Sequence, residues 1–91
     1  PENPFFNNSL GYAYAKAELY DDAIEHYQKA ISLNPDPECT SIVCQALGSI
    51  YAENKGNVEA AVSTYQAGII LDPKNYDLYI ALGDIYMARN I

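Results

Sequence analysis

Tryptophan is absent, methionine and histidine occur once each, and only 5 side chains are basic. One histidine and two cysteines are too few for a closed structural His/Cys zinc site, which takes four such ligands, and His26 lies far from both cysteines in sequence. Acidic residues outnumber basic ones 12 to 5, for a net charge of −7. That balance excludes the basic stripe by which proteins hold nucleic acid. It also disfavours anionic membrane surfaces. No apolar run approaches the roughly 18 residues that span a bilayer, so no direct membrane insertion is expected. Val and Thr are sparse and no segment alternates with period two, so no strand is expected.

The chain starts Pro1-Glu2-Asn3-Pro4, with neither Met nor a signal peptide, and reads as an excised piece of a longer protein. Cys39 and Cys44 are five apart, about 140° around a helix, and cannot bridge each other within it. They read as free thiols of a reducing compartment, with the cytoplasm as the expected location. Cys39, near a helix start, is a candidate for a lowered pKa. Cys44 reads as a small core hydrophobe. Nothing resembles a phosphate loop, a set of metal ligands or a nucleophile beside a histidine. No enzyme, cofactor or metal is expected, and His26 reads as a solvated histidine on the polar side of its helix.

What is present is punctuation and period. Turn signals at Asn3-Pro4, Leu19 to Asp22, Asn34 to Pro37, Asn54 to Asn57 and Asp72 to Asn75 leave five segments of helical length. Asn3 and Asp36, each followed by proline, predict N-caps; Asp21, Asn57 and Asn75 are the candidates for the other three helices. Ala23, Ile24, Tyr27, Ala30 and Ile31 form one helical stripe, and Ala61, Val62, Tyr65 and Ile69 form another. Short connections make neighbouring helices antiparallel hairpins.

The segments also repeat. Leu10-Gly11-x-x-Tyr14 returns as Leu47-Gly48-x-x-Tyr51 and as Leu82-Gly83-x-x-Tyr86. Ala23-x-x-x-Tyr27-x-x-Ala30 returns as Ala61-x-x-x-Tyr65-x-x-Gly68, and Pro35 and Pro73 close the two second helices. This pattern resembles the tetratricopeptide repeat family over nearly the whole chain. The resemblance implies an all-α, right-handed α-solenoid of about two and a half repeats and five helices. Its units would be a single domain over 1–91, with repeats at about 4–36 and 37–73 and a half repeat at 74–91. Glycines at 11, 48 and 83 would let the partner helix come close. Tyr14, Tyr51 and Tyr86 would fill the space between successive pairs.

The departures are local. Asn7, Cys44 and Tyr79 stand where the family often has tryptophan. Pro35 and Leu47 are 12 positions apart, against 9 for Pro73 and Leu82, and Tyr51 to Ala61 is one residue longer than Tyr14 to Ala23. These differences predict a tilted second pair. The last helix would serve as a cap, although Ile85 and Ile91 are apolar for that role.

In this family the first helices line a concave groove that holds an extended peptide or a partner helix. By register the resemblance implies groove positions Phe5, Asn8, Tyr12 and Lys16, then Ile42, Gln45, Ser49 and Glu53, then Asp77, Ile80, Asp84 and Met87. Such a mixed lining suits a peptide with apolar anchors and backbone hydrogen bonds. Glu53, Asp77 and Asp84 favour a partner that is basic at one end. The expected function is therefore a scaffold or adaptor module that binds another protein.

Chaperone-binding members of the family clamp a C-terminal carboxylate with Lys, Asn and Arg. The matching positions here hold Asn8, Tyr12, Ala46, Asp77 and Ala81, so the acidic tails of the cytosolic heat-shock chaperones are not expected to bind. The alternative expectation is self-association into homo-oligomers through the exposed terminal helix.

Overall fold

The structure, a computed structural model, describes residues 3–33 and 36–89, apart from the side chain of Arg89. The expected turn at Asn34-Pro35, the leading Pro1-Glu2 and the capping Ile91 lie outside the described residues. Five α-helices follow one another: α1 (Pro4–Lys16), α2 (Tyr20–Leu33), α3 (Pro37–Ser49), α4 (Val58–Leu71) and α5 (Tyr76–Arg89). A π-helical segment, Ile50–Asn54, extends α3. Among the described residues there is no strand. Each helix packs chiefly on its neighbours in sequence, which makes the molecule a helical solenoid.

The caps follow the side-chain chemistry. Asn3 Oδ1 accepts from the backbone N–H groups of Phe5 and Phe6, and Pro4 opens α1. Asp36 accepts from Glu38 N–H, with Pro37 at the first helical position. Asn57 accepts from Ala60 N–H. Asp21 corrects the expectation: α2 already begins at Tyr20, so Asp21 and Asp22 lie inside its first turn, at the positive end of the helix dipole. The earlier start follows from a compact stop to α1. Glu18 takes a left-handed conformation, φ 63°, while Glu18 N–H bonds to Ala15 O and Leu19 N–H to Tyr14 O. This is a Schellman turn, and it uses up the linker by Leu19.

The extra residue of the second repeat has a clear fate. Lys55 N–H reaches back five residues to Ile50 O at 3.0 Å, and Asn57 N–H bonds to Tyr51 O at 2.8 Å. A π-turn carries one residue more than an α-turn, so the insertion is absorbed inside the helix and not extruded as a loop. Lys55 then pairs with Asp21 at 2.7 Å, tying this end to the start of α2.

Two clusters make up the core. Ala23, Tyr27 and Ala30 of α2 meet Val43, Leu47 and Ile50. Ala61 and Tyr65 of α4 meet Leu78 and Leu82 of α5. Tyr51 packs on both clusters, and its hydroxyl accepts from Gln28 Nε2 at 3.0 Å. It is the wedge between the repeats. Leu78 is fully buried, and truncating such a leucine to alanine costs about 3 kcal/mol.

Gly11 and Gly48 each serve a ring and not a backbone. A Cβ on Gly11 would stand 2.7 Å from Tyr27 Cδ1, so it is the partner's tyrosine that needs the space. Gly83 differs, because nothing lies within 4 Å of a Cβ placed there.

Candidate functional site

The three first helices, α1, α3 and α5, carry the predicted groove residues. None of the twelve is buried. On α1, Phe5, Tyr12 and Lys16 are exposed and Asn8 is half-buried; the Lys16 ammonium lies 5.4 Å from the centre of the Tyr12 ring. On α3, Ile42 is 61% exposed, while Gln45 and Ser49 are half-buried. Glu53, in the π-helical segment, is exposed. On α5, Asp77, Ile80, Asp84 and Met87 are all exposed.

Two of these side chains also take part in packing. Gln45 Oε1 accepts from Asn75 Nδ2 at 3.4 Å, and the same amide donates to the buried Ser41 Oγ at 3.0 Å. Asn75, expected as a cap, uses its side-chain amide instead to fix the start of α5 against α3. Ser49 Oγ and the Tyr65 hydroxyl are hydrogen-bonded at 3.2 Å.

The structure brings Ser49, Glu53 and Asp84 to one open cleft of about 240 Å³ between α3 with its π-helical extension, α4 and α5. Ala52, Tyr65, Ala81, Ile85 and Ala88 complete its wall. Sequence reasoning alone does not place these five in a common site. Burial pushes the Tyr65 hydroxyl up from its usual pKa, its bond to Ser49 opposes that rise, and Glu53 and Asp84 add to it. Both carboxylates therefore act on the floor of the cleft.

Two expectations about polar side chains need correction. His26 is not a solvated surface residue. Its Nδ1 lies 3.0 Å from Oδ1 of the buried Asn7, and its ring stacks on Tyr14 with centres 5.3 Å apart. Asn7 donates its amide to Asn3 O, so its Oδ1 accepts and His26 Nδ1 carries the proton. Cys39 does not have a lowered pKa: its thiol donates to Asp36 Oδ2 at 3.4 Å, and this bond raises the pKa. The neighbouring charges of Asp36 and Glu38 push the same way. Cys44 is buried as a core hydrophobe, and burial raises its pKa as well.

Among the described residues no three His, Cys, Asp or Glu side chains are grouped to hold a metal ion. No described helix is long and apolar enough to cross a membrane.

Comparison with known proteins agrees with this architecture. The chain is 41% identical over 68 residues to a protein from Cyanophora paradoxa named "Uncharacterized protein ycf37". The match covers 75% of the chain and 37% of that protein's length. Models of the tetratricopeptide repeat match residues 7–37 and 42–75. Paired helices, glycine notches filled by tyrosine, and these two matched segments are one observation at three levels, and the chain belongs to the tetratricopeptide repeat family.

Proposed function

We propose that the chain binds a peptide or helix of another protein along the face formed by α1, α3 and α5. Membership of the family makes it a protein–protein interaction module. The observation that carries the groove reading is the uneven burial of these helices. Leu47, Leu78 and Leu82 are buried, whereas Phe5, Tyr12, Ile42, Ile80 and Met87 are each left 59–81% exposed. Each of the three helices thus leaves at least one large apolar side chain exposed, at differing repeat positions, and together they make a surface in want of a cover. Asp77, beside this face, would repel the carboxylate of a chaperone tail. The two unbridged thiols suit a reducing compartment such as the cytoplasm.

Selection from a random-sequence peptide display library tests the reading. Wild-type protein should enrich peptides whose binding is lost in Tyr12→Ala/Ile80→Ala, with an unchanged melting temperature. Enrichment of the same peptides by that variant would place binding elsewhere.

A second reading, self-association, has its own support. The notch at Gly83 is open, and Tyr76 and Tyr79 beside it are 71% and 45% exposed, whereas the equivalent Gly11 and Gly48 each lie under a tyrosine ring. A second copy of α5 could cover that face. Sedimentation of wild type and Gly83→Leu across concentration decides this: a dimer abolished by the substitution supports it, and a wild-type monomer at high concentration ends it.

A further inference from the structure

The groove reading leaves the cleft at its α5 end without an assigned occupant. Its volume of about 240 Å³ falls below the roughly 300–1,000 Å³ of small-molecule sites, and it suits one long side chain. Its walls are mixed in a specific way. Ala52, Ala81 and Ile85 offer apolar surface, while Glu53 and Asp84 are exposed carboxylates. Among the described side chains neither acid has an ion pair, although Asp21 and Glu25 each hold a lysine. No described side chain thus neutralises these charges, and a net charge of −7 adds a field that draws cations in.

We propose that this cleft is the pocket for one lysine or arginine side chain of the bound peptide, with the stem against Ala52, Ala81 and Ile85 and the cation held by Glu53 and Asp84. This pocket rests on the groove reading and deepens it by naming a residue class at one position of the ligand. Lysine and arginine suit such a site because their stems are apolar and only the tip is charged. The Tyr65 hydroxyl, already bonded to Ser49, closes the floor with a neutral group that does not compete for the carboxylates.

Two probes test this. The first is N-acetyl-argininamide against its neutral isostere N-acetyl-citrullinamide, followed by amide chemical shifts. The arginine compound should shift Ser49, Ala52, Glu53 and Asp84, and the shifts should weaken with added salt and vanish in Glu53→Gln/Asp84→Asn. The citrulline compound should leave them unchanged.

The second probe is a peptide selected from the library. Replacing its basic residue by citrulline should lower affinity about tenfold, or about 1.4 kcal/mol, on wild type and hardly at all on the double variant. If selected peptides bind the groove equally well with citrulline, the pocket is wrong and the groove stands. If no peptide is selected but argininamide fills the cleft as described, the groove reading falls, the cleft stands as a site for a basic side chain, and its assignment to a groove-bound peptide is overturned. If neither probe binds, both fall. Should the double variant fail to fold, the citrulline comparison on wild type still decides.

Discussion

The Tyr65 ring lies across Gly48 so closely that a Cβ on this glycine would stand 2.5 Å from Tyr65 Cε1. Tyr65 is 3% exposed and its hydroxyl is bonded to Ser49, so the ring has little freedom to yield. Gly48→Ala should therefore destabilise the protein by about 2–3 kcal/mol, despite the gain of about 1 kcal/mol in helix propensity. Gly83→Ala meets open space and should be neutral or stabilising by up to about 1 kcal/mol. Urea unfolding of both variants checks the contrast. Equal losses would mean that α5 is covered in solution.

Glu18 pays a backbone cost that glycine would not. At φ 63° a side chain is strained, and the Schellman turn after α1 requires that conformation. Glu18→Gly should raise stability by about 0.5–1 kcal/mol, read as a higher melting temperature with unchanged helicity. A loss would show that the Glu18 side chain contributes a contact outweighing the strain.

The two cysteines should react very differently. Cys44 is 2% exposed, and its alkylation should track unfolding as denaturant is raised. Cys39 is half-buried and should react in the native state, slowed because Asp36 holds its proton. Asp36→Asn removes that carboxylate but keeps a good N-cap, so alkylation of Cys39 near neutral pH should speed up severalfold. Mass spectrometry of the labelled protein at timed intervals distinguishes the two sites. An unchanged Cys39 rate would exclude the bond to Asp36 as its control.

Alkaline pH should weaken the fold. Burial raises the pKa of Cys44 from 9.0 and of Tyr27 and Tyr65 from 10.0, so the folded state holds these protons more tightly than the unfolded chain. Their contribution is complete below the unfolded values and is lost as pH rises through the folded ones. Melting temperature should decline from about pH 9 for the thiol and about pH 10 for the phenols. Cys44→Ala and Tyr27→Phe should each remove part of that decline. A decline unchanged in both variants would assign it to other groups.

Titration with a synthetic acidic peptide that copies the character of a heat-shock chaperone tail, with a free C-terminal carboxylate, should show no binding. Asn8 is the one clamp-compatible residue at the matching positions, and Asp77 opposes the carboxylate. Micromolar affinity would overturn this.

Much of the helical frame is legible in the sequence because its signals are local. Asn3, Asp36 and Asn57 cap because a short polar side chain precedes each helix, and proline follows the first two. Asp21 is misplaced by sequence reasoning because the start of α2 depends on how α1 ends, at a left-handed Glu18 that no turn residue announces. The extra residue after Tyr51 can be counted in the sequence, but counting does not distinguish a loop from a π-turn. Of the cleft, Ser49, Glu53 and Asp84 are legible by register, while Tyr65 reads only as part of the seam of its helix pair.

By itself the sequence determined the repeat: glycine three residues before tyrosine on each first helix, spaced small residues and tyrosine on each second. These are contacts between neighbours in the chain, and periodicity encodes them. Only the tertiary structure decided that His26 meets Asn7 from 19 residues away, that the Cys39 thiol donates to Asp36, and that Glu53 and Asp84 share one cleft. Such pairings depend on the angle and depth at which packed helices meet, and no spacing along one helix records them.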